Sequence, residues 1–394
     1  MMIRYLTRQI NKLIALLSLL ILLLVACEKK PPYGRIYHPL DYENFSHLIP
    51  INDSCFVFAG VWAHPESRKT VSLYKYLDTD FATVWEHSYE GESFDMGYRI
   101  IAAEDKYLLL GLTMFDGERD ADSRVVLVDS AGSEIWNKNI GDKGSDRLFQ
   151  AILTRDSGYL LVGSTARDTS RGIDGWLVKL NQDGDLLWQK SFGKSGSVKG
   201  DYFSSIQATQ FGGYIISGYT ASYGAGRVDG WLVKINEEGK QLWAHTYGGL
   251  EKDYIQQFYP HEDGGFIIAG TSRAPDNNQN RGWLFRIDSL GNQLWNRYFN
   301  EISGIKSMAP LPSGGYLLLA SIKVEGDDET DIWLAEVDER GEKVWTRELG
   351  GSESDSGLLL YRTSEGFKLI ASTKSYGNIQ DSWIINLDSQ GLPL

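Results

Sequence analysis

The chain has 394 residues, and hydrophobic side chains occupy 42% of its positions, which is typical of a globular protein and not of a disordered one. Its 39 Lys and Arg against 52 Asp and Glu give a formal charge of −13, which argues against a nucleic-acid partner. The two cysteines, Cys27 and Cys55, exclude a disulfide framework, and Cys55, in the apolar run SCFVFAG, is predicted to be a small buried side chain.

The first residues combine a basic start with a short apolar run. Arg4, Arg8 and Lys12 precede LIALLSLLILLLVA, an uncharged stretch over residues 13–26. A membrane-spanning helix needs about 20 such residues, so this shorter stretch is typical of a secretory signal. It ends in LVAC, residues 24–27, which resembles the bacterial lipobox. An ordinary secretory signal followed by an unrelated cysteine is the alternative.

The lipobox resemblance implies cleavage before Cys27 and acylation of its thiol, with palmitate among the chains. It assigns residues 1–26 to a signal peptide and residues 27–32 to the lipidated cysteine and a polar spacer. Several acyl chains anchor a protein stably, whereas a single chain binds a membrane only marginally. In such lipoproteins Asp after the cysteine favours the inner membrane, and Glu28 here favours the outer membrane. We therefore expect a lipid-anchored protein of the bacterial cell envelope.

The remaining residues, 33–394, repeat a short turn that is followed by a tryptophan. Six turns are LDTDFATVW, VDSAGSEIW, LNQDGDLLW, INEEGKQLW, IDSLGNQLW and VDERGEKVW, and a seventh, LDSQGLPL, ends the sequence. Asp or Asn opens each turn because its side chain can accept hydrogen bonds from the backbone ahead of it. Gly three positions later supplies the positive φ of a bulged hairpin, except in the first copy, where Phe81 replaces it.

Each repeat holds four strand signals. In the fourth copy they are YFSSIQAT, GYIISGYT, GWLVKIN and QLWAHTYG. These segments are short, rich in β-branched and aromatic residues, and bounded by Gly, Asp and Asn, which is typical of strands. Second strands such as GYLLVGST are apolar at nearly every position, which predicts burial on both of their faces.

Units of about fifty residues with four antiparallel strands are typical of β-propeller blades. The D-x-x-G-x-x-x-W turn and the strand after it resemble the quinoprotein-like (PQQ-like) propeller family, in which the tryptophan docks between blades. We therefore predict an all-β fold, a seven-bladed β-propeller of four-stranded antiparallel blades, as a single domain over residues 33–394. A solenoid of the same repeats is the alternative.

The seventh repeat has three strand signals and lacks a fourth. The N-terminal segment YGRIYHPLDYE, residues 33–43, is similar to a fourth strand with its exit loop. We predict that this segment pairs beside DSWIINLD and completes the last blade, with Ile36 or Tyr37 opposite Trp383. Such closure would remove a free sheet edge.

The tryptophans after the turns recur at intervals of 50 to 55 residues. This regularity favours packing between blades over cofactor stacking, and each ring can bury roughly 150–250 Å². Trp62 falls outside the series and is predicted to lie in an exposed loop. The predicted blade-docking residues are Trp85, Trp136, Trp188, Trp243, Trp295 and Trp345.

Antiparallel strands send their connections to two opposite faces. Short links and the D-x-x-G turns share one face, while the longer loops between second and third strands share the other face with the crossings between blades. Function usually lies on such variable loops, held by a rigid frame. The predicted binding-face candidates are Trp62, Asp116, Glu118, Asp120, Asp327 and Asp328.

Aspartates recur at the ends of these longer loops. Recurrence at one structural position favours hydrogen bonding within turns over ligand binding, and a cation at the mouth of the central channel is the alternative. We assign no metal site and no cofactor. The recurring residues are Asp122, Asp174, Asp229, Asp331 and Asp381 before third strands, and Asp95, Asp146, Asp201, Asp253 and Asp355 before first strands.

The sequence contains none of the common catalytic motifs. Its six histidines lack zinc spacing, and there is no G-x-S-x-G, C-x-x-C or H-E-x-x-H motif. Quinone-dependent dehydrogenases of the superfamily it resembles have eight blades and a vicinal cysteine pair, and this chain has neither, so we assign no catalytic residue. We predict a non-catalytic envelope lipoprotein that binds or scaffolds a protein or glycan partner through its loop-rich face. The alternative is an envelope enzyme or a glycan-binding propeller with its site at the channel mouth.

Overall fold

The computed structural model describes residues 31–32, 34–37, 43–51, 55–63, 70–77, 82–89, 94–114, 121–142, 144–166, 172–194, 196–324, 326, 328–376 and 381–394. Cys27, Phe81 and the predicted signal peptide lie outside these residues. Within them, no helix is both long enough and apolar enough to span a bilayer.

The described secondary structure consists of 28 β-strands. They form seven four-stranded antiparallel sheets, or blades, in which consecutive strands are hydrogen-bonded neighbours. The short segments of β-branched and aromatic residues between Gly and Asp turns form these strands because they suit a half-buried pleated surface. The predicted all-β, seven-bladed fold is therefore confirmed.

The strands of the first four blades have these bounds. Blade 1 contains β2 (Glu43–Pro50), β3 (Phe56–Ala63), β4 (Thr70–Leu77) and β5 (Thr83–Tyr89), and blade 2 contains β6 (Phe94–Ala103), β7 (Lys106–Met114), β8 (Ala121–Asp129) and β9 (Glu134–Ile140). Blade 3 contains β10 (Asp146–Leu153), β11 (Tyr159–Thr165), β12 (Asp174–Leu180) and β13 (Leu186–Phe192), and blade 4 contains β14 (Asp201–Ala208), β15 (Tyr214–Thr220), β16 (Asp229–Ile235) and β17 (Gln241–Tyr247).

The last three blades follow the same order. Blade 5 contains β18 (Asp253–Pro260), β19 (Phe266–Arg273), β20 (Asn280–Ile287) and β21 (Gln293–Phe299), and blade 6 contains β22 (Ile302–Pro310), β23 (Tyr316–Lys323), β24 (Thr330–Val337) and β25 (Lys343–Leu349). Blade 7 contains β26 (Asp355–Arg362), β27 (Phe367–Thr373), β28 (Ser382–Leu387) and β1 (Arg35–Tyr37).

Burial divides each blade into an inner part and an outer edge. The second strand of blade 3, β11, is buried at every position, and its third strand, β12, at all but the first. The fourth strand, β13, is mostly exposed. The apolar cores lie between neighbouring blades, as in the cluster that joins Leu160 and Val162 of blade 3 to Ile216 of blade 4. Burial of the second strands on both faces, predicted from their apolar sequences, is confirmed.

The ring closes at blade 7 through the N-terminal strand. Ile36 of β1 pairs with Trp383 of β28, as predicted. Further along β28, Pro393 bridges to Leu387 and the Leu394 N–H donates to the Asn386 carbonyl at 3.0 Å. The outer strand of blade 7 is therefore assembled from both ends of the chain. Phe56 and Phe58 of blade 1 share an apolar cluster with blade 7, so the blades encircle an axis and do not form an open solenoid.

Every innermost strand carries a β-bulge at the same place. In blade 5, for example, the register shifts between Ile255 and Gln257. The residue after the bulge reaches the next blade, where Gln257 Oε1 accepts a 2.7 Å hydrogen bond from the Met308 N–H. The Nε–H of Arg99 likewise donates to Gln150 Oε1 at 3.1 Å. We call the polar residues at this post-bulge position the polar belt, and they are His47, Arg99, Gln150, Ser205, Gln257 and Ser307; blade 7 has Leu359 there.

Candidate functional site

Two kinds of loop meet on one face of the ring, which we call the loop-rich face. Its described segments include the blade crossings 196–200, 248–252 and 350–354 and the second-to-third-strand loops 221–228 and 274–279. The opposite face, the short-turn face, carries the first-to-second-strand links and the D-x-x-G turns. The antiparallel order of each blade fixes this division.

The loops of blades 3 to 5 are joined by main-chain hydrogen bonds. The Ala221 N–H donates to the Gly200 carbonyl at 3.0 Å, and the Arg227 N–H donates to the Glu251 carbonyl at 3.1 Å. The Arg273 N–H continues the series by donating to the Lys252 carbonyl at 3.0 Å. Each crossing is thus bound to the loop of the next blade. We call segment 196–273 of this face the loop platform, and its hydrogen bonds hold it in shape before any ligand binds.

Apolar side chains project from the loop platform. Val198 on one crossing is 76% exposed and Leu250 on the next crossing is 71% exposed. Tyr223, on the intervening loop 221–228, is also exposed, with its ring 5.8 Å from that of Trp231. Exposed apolar groups on adjoining ordered loops are a feature of surfaces that bind other molecules.

Three tyrosines cluster at the loop-rich end of blades 4 and 5. Tyr202 and Tyr219 are a cross-strand pair whose rings stack at 4.7 Å between centroids. Tyr254, from the innermost strand of blade 5, meets the edge of Tyr219 at 5.3 Å. All three are partly buried, and burial raises the pKa of the Tyr219 phenol, so it remains a neutral hydrogen-bonding group. Such a cluster can stack against a flat apolar or sugar-like surface.

The recurring aspartates lie beneath these loops and bond to them. Asp146, Asp253 and Asp355 each begin an innermost strand and are buried. Their Oδ2 atoms accept hydrogen bonds from main-chain N–H groups four residues earlier, at 2.8, 2.8 and 3.0 Å. These hydrogen bonds fix the conformation of the crossings. Hydrogen bonding within turns is the role that the repeat pattern favours for these aspartates.

Aspartates at the start of third strands face those of the following blade. Burial, together with the neighbouring carboxylates of Asp355 and Glu348, raises the pKa of Asp331 to about 6. Burial and Asp201 likewise raise the pKa of Asp174. Carboxylates in close pairs cannot both ionise without cost, so these pairs differ from ordinary surface acids.

The predicted binding-face residues do not all lie as expected. Trp62 is within β3, paired with Glu43 and Val71, so its placement in a loop was wrong; Val61 and Trp62 prolong the strand toward the loop-rich face. Asp328 is fully exposed in an ion pair with Lys323 at 2.8 Å, and this bond lowers the pKa of Asp328. The other candidates, Asp116, Glu118, Asp120 and Asp327, lie outside the described residues.

Cys55 also differs from its prediction. It is partly exposed and immediately precedes β3, whose buried residues begin at Phe56. Burial of its side chain was therefore the wrong expectation, because the turn ends one residue later than the apolar run suggests.

The turn tryptophans lie between blades on the outer strands. All six are partly buried and pack against apolar clusters. The Nε1–H of Trp136 donates to the Gln182 carbonyl of the next blade at 3.0 Å, and that of Trp85 donates to the Ser130 carbonyl at 3.0 Å. The third-strand set is fully enclosed and consists of Trp176, Trp231, Trp283, Trp333 and Trp383.

Sequence reasoning missed the tyrosine cluster and the exposed crossing residues. Tyr202 and Tyr254 are the second residues of their strands, directly after the recurring aspartates. This shared position is visible when the repeats are aligned. Val198 and Leu250 are the large apolar residues of otherwise polar crossings, GKSGSVKGD and GGLEKD. Only the register shows that these residues come together.

These observations define the chain as a seven-bladed β-propeller with a preformed loop platform. No protein-family model and no curated protein matches its sequence. It is similar to the WD40 domain of Pan2 from Neurospora crassa, at a TM-score of 0.55 and 10% identity over 88% of this chain and 90% of that one.

Two further solved structures are similar. The β-propeller domain of the trilobed protease from Pyrococcus furiosus has a TM-score of 0.51 and 8% identity over 88% of this chain and 94% of that one. The periplasmic gluconolactonase PpgL of Pseudomonas aeruginosa has a TM-score of 0.51 and 12% identity over 82% of this chain and 89% of that one. At these identities the likeness concerns the fold alone, because one fold hosts many functions.

Proposed function

We propose that the chain is a lipid-anchored protein of the bacterial cell envelope that binds a partner, without catalysis, through its loop-rich face. The anchor rests on the lipobox at Cys27, with Glu28 favouring the outer membrane. The resemblance of the repeat turn to that of quinoprotein-like propellers supports a propeller of that kind, to which we assign no cofactor. The observation that carries the binding role is the loop platform, with Val198 and Leu250 exposed on adjoining hydrogen-bonded loops.

Exposure alone does not select this face. Phe211 and Leu290, on the short-turn face, are 78% and 66% exposed. They lie on separate tight turns of blades 4 and 5, whereas Val198 and Leu250 belong to one hydrogen-bonded surface beside the tyrosine cluster. A rigid surface loses little conformational entropy when it binds, which favours the loop platform as the recognition surface.

Site-specific photo-crosslinking in the producing bacterium tests the choice of face. A photoreactive residue is placed at Val198 or Leu250, and as matched controls at Phe211 or Leu290. We expect one discrete adduct from both loop-platform positions and none from the controls, and a Leu250→Asp change should abolish the adduct formed from position 198. Adducts that form only from the short-turn positions would contradict the proposal.

Metabolic labelling tests the anchor separately. An alkyne-bearing palmitate analogue should label the wild-type chain, and the labelled chain should sediment with outer-membrane vesicles. Cys27→Ala should remove both the label and the sedimentation, while Cys55→Ala should change neither. Cleaved chain that carries no acyl label would refute lipidation and leave the binding test intact.

The tyrosine cluster favours one alternative, a glycan ligand at the channel mouth. Sugar rings stack on aromatic faces, and three partly buried tyrosines converge there. Calorimetric titration with soluble peptidoglycan fragments should then give binding that Tyr219→Ala weakens at least tenfold. Tyr298→Ala, which alters an exposed tyrosine of an outer strand, is the control and should bind as the wild type does.

A further inference from the structure

Four blade junctions share a pair of aspartates that we call the junction pairs. One member begins or nearly begins the third strand of a blade, and the other begins the innermost strand of the next blade. The pairs are Asp122 with Asp146, Asp174 with Asp201, Asp229 with Asp253, and Asp331 with Asp355. They lie under the loop-rich face, on the inner side of the crossings.

Glycines beside two of the pairs show how close the carboxylates come. A Cβ added to Gly193 would lie 1.9 Å from Asp174 Oδ1 and 3.2 Å from Asp201 Oδ2. A Cβ added to Gly248 would lie 2.5 Å from Asp253 Oδ2 and 2.7 Å from Asp229 Oδ1. The two oxygens of each pair can therefore be separated by no more than the sum of these distances. Ca²⁺ binds oxygen at roughly 2.3–2.6 Å, so one ion can bridge oxygens about 5 Å apart.

Four carboxylate oxygens of the junction pairs lack hydrogen-bond donors in the described part of the chain. Asp146 Oδ1, Asp201 Oδ2 and Asp355 Oδ1 are buried without a partner, and Asp201 and Asp355 have side chains that are 0% exposed. Asp331 Oδ1 is a fourth such atom. A buried ionised oxygen without a donor or a counter-charge is costly. Each of these atoms therefore calls for a positively charged or hydrogen-bonding occupant.

The other oxygens of the same carboxylates are held in place. Asp201 Oδ1 accepts hydrogen bonds from the Thr220 hydroxyl and, at 3.3 Å, from the Ser222 N–H. Asp355 Oδ2 accepts from the Ser375 hydroxyl at 2.7 Å and from the Gly351 N–H at 3.0 Å. Fixing one oxygen orients the other, as outer partners do for metal ligands.

At two of the junctions, no basic side chain of the described residues neutralises the pair. In the described part of the chain, none of the ion pairs of Lys, Arg or His includes Asp174, Asp201, Asp331 or Asp355. Main-chain carbonyls are nearby instead. A Cβ added to Gly226 would lie 2.6 Å from both the Gly249 and the Glu251 carbonyl oxygens and 3.2 Å from Asp229 Oδ1.

The junction between blades 5 and 6 is a natural comparison. Arg281 stands where the third strands of the junction pairs have aspartate, and β22 begins with Ile302 where the innermost strands of those pairs begin with aspartate. The residue after the outer strand is Asn300, whereas Gly141, Gly193, Gly248 and Gly350 follow the outer strands that flank the junction pairs. Both carboxylates and the glycine that makes room for them are therefore replaced together, as expected if they form one site.

We propose that two junction pairs, Asp174 with Asp201 and Asp331 with Asp355, each bind a divalent cation, with Ca²⁺ as the matching ion because all the ligands are hard oxygens. Within the described residues, no junction gathers three or more carboxylate, imidazole or thiol groups, so carbonyl oxygens and water complete the coordination. The bound ion joins two blades and fixes the crossing above them. The site is independent of the lipid anchor and of any partner.

Counting bound ions tests this inference. The purified full chain in detergent is treated with EDTA and titrated with Tb³⁺ in high KCl, with luminescence excited through its tryptophans, and the Tb³⁺ is then displaced with Ca²⁺. We expect two displaceable ions per wild-type chain, one for Asp201→Asn, one for Asp355→Asn and none for the double variant. Asp276→Asn, which alters an exposed carboxylate of the same face, should keep two.

Thermal unfolding provides a second readout. Ca²⁺ should raise the melting temperature of the EDTA-treated wild type, and the rise should be smaller in Asp201→Asn. If that variant does not fold, Asp174→Asn, on the more exposed side of the same junction, replaces it. The inference is overturned if the wild type binds no displaceable ion, or if Asp201→Asn and Asp276→Asn bind equal numbers of ions. It is also overturned if Asp201→Asn is more stable than the wild type both in the presence and in the absence of Ca²⁺. The last result would mean that a shared proton occupies the pair.

Discussion

The glycine of each D-x-x-G turn serves the turn and the neighbouring blade together. Gly184 has a φ of +79°, which a residue with a side chain adopts only with strain. It also lies under the indole of Trp136, and a Cβ at this position would be 2.9 Å from ring atoms. The repeated glycine of one blade therefore packs against the repeated tryptophan of the blade before it.

Replacing Gly184 by Ala should destabilise the chain more than the backbone strain alone. Gly212 is the matched control, because its φ is +87° while the nearest atom to an added Cβ is 3.8 Å away. Gly212→Ala should cost about 1–2 kcal/mol from the left-handed conformation. Gly184→Ala should cost about 1–3 kcal/mol more, because the indole must move. Urea unfolding of both variants measures the difference, and equal losses would mean that the indole contact contributes nothing.

His47 is a neutral member of the polar belt. Its Nδ1 accepts a 3.4 Å hydrogen bond from the Ile100 N–H. Burial, together with the nearby Arg99 guanidinium, lowers the pKa of His47 to about 3. The unfolded chain has the ordinary value of 6.5. Between these two values the unfolded state binds a proton that the folded state does not, so stability falls as the pH falls below 6.5.

A His47→Gln variant should lose less stability on acidification than the wild type. The histidine contributes a slope of at most about 1.4 kcal/mol per pH unit below its unfolded pKa, which gives about 2 kcal/mol between pH 6.5 and pH 5. Urea unfolding at pH 7 and pH 5 measures the slopes of both chains. His87→Gln, at an exposed position of an outer strand, should keep the wild-type slope. Parallel slopes for His47→Gln and the wild type would show that His47 takes up its proton in the folded state.

At the scale of elements, the bulge in each innermost strand creates the polar belt. The extra residue redirects the side chain that follows it toward the next blade, as bulges do at barrel rims. Gln257 then reaches the main chain of Met308, 51 residues further on. Several bulged strands thus gain a hydrogen-bonding partner outside their own sheet, as Arg99 does with Gln150 and Ser307 with Leu360.

Gln257→Ala should cost about 1–3 kcal/mol, because it leaves the buried N–H of Met308 without an acceptor. Gln256→Ala is the control, because it removes a glutamine side chain that is exposed one residue earlier. It should change stability by no more than about 0.5 kcal/mol. Denaturant unfolding compares the two variants. Similar losses of stability in the two variants would show that the hydrogen bond between Gln257 and Met308 does not stabilise the fold.

The strands and the blade order were predictable because they follow from local pattern. Alternating β-formers, Asp-Gly turns and the fifty-residue period were enough to place seven blades and the closing strand. The polar belt was not predictable, because it joins residues about one repeat apart whose facing depends on a one-residue bulge. The tyrosine cluster was missed because it combines a cross-strand pair with a contact between neighbouring blades. Trp62 was misplaced for a similar reason, since the strand continues past Gly60 through cross-strand pairing that no local signal marks.

At the scale of the whole molecule, stability depends on a contact between residues hundreds of positions apart. Blades pack on their sequence neighbours around the ring, but blade 7 meets blade 1 only when the chain ends come together. β1 covers Ser382–Ile384, and the last residues of the chain cover Asn386 and Leu387. This composite strand protects the edge of β28 and holds the ring shut.

Replacing both Arg35 and Ile36 by proline should open the ring at blade 7. Alternate residues of a strand direct their N–H groups toward the partner, so one of two consecutive prolines must remove a ladder hydrogen bond to β28. We expect at least tenfold faster amide hydrogen exchange at Ser382–Ile384, corresponding to about 1.4 kcal/mol of lost local protection. The amides of β15 in blade 4, far from the closure, should exchange at the wild-type rate. Changing Pro31 and Pro32 to Ala, just before the paired residues, is the control and should leave β28 protected. Unchanged protection in the double-proline chain would mean that the ring is held by blade packing and not by its closing strand.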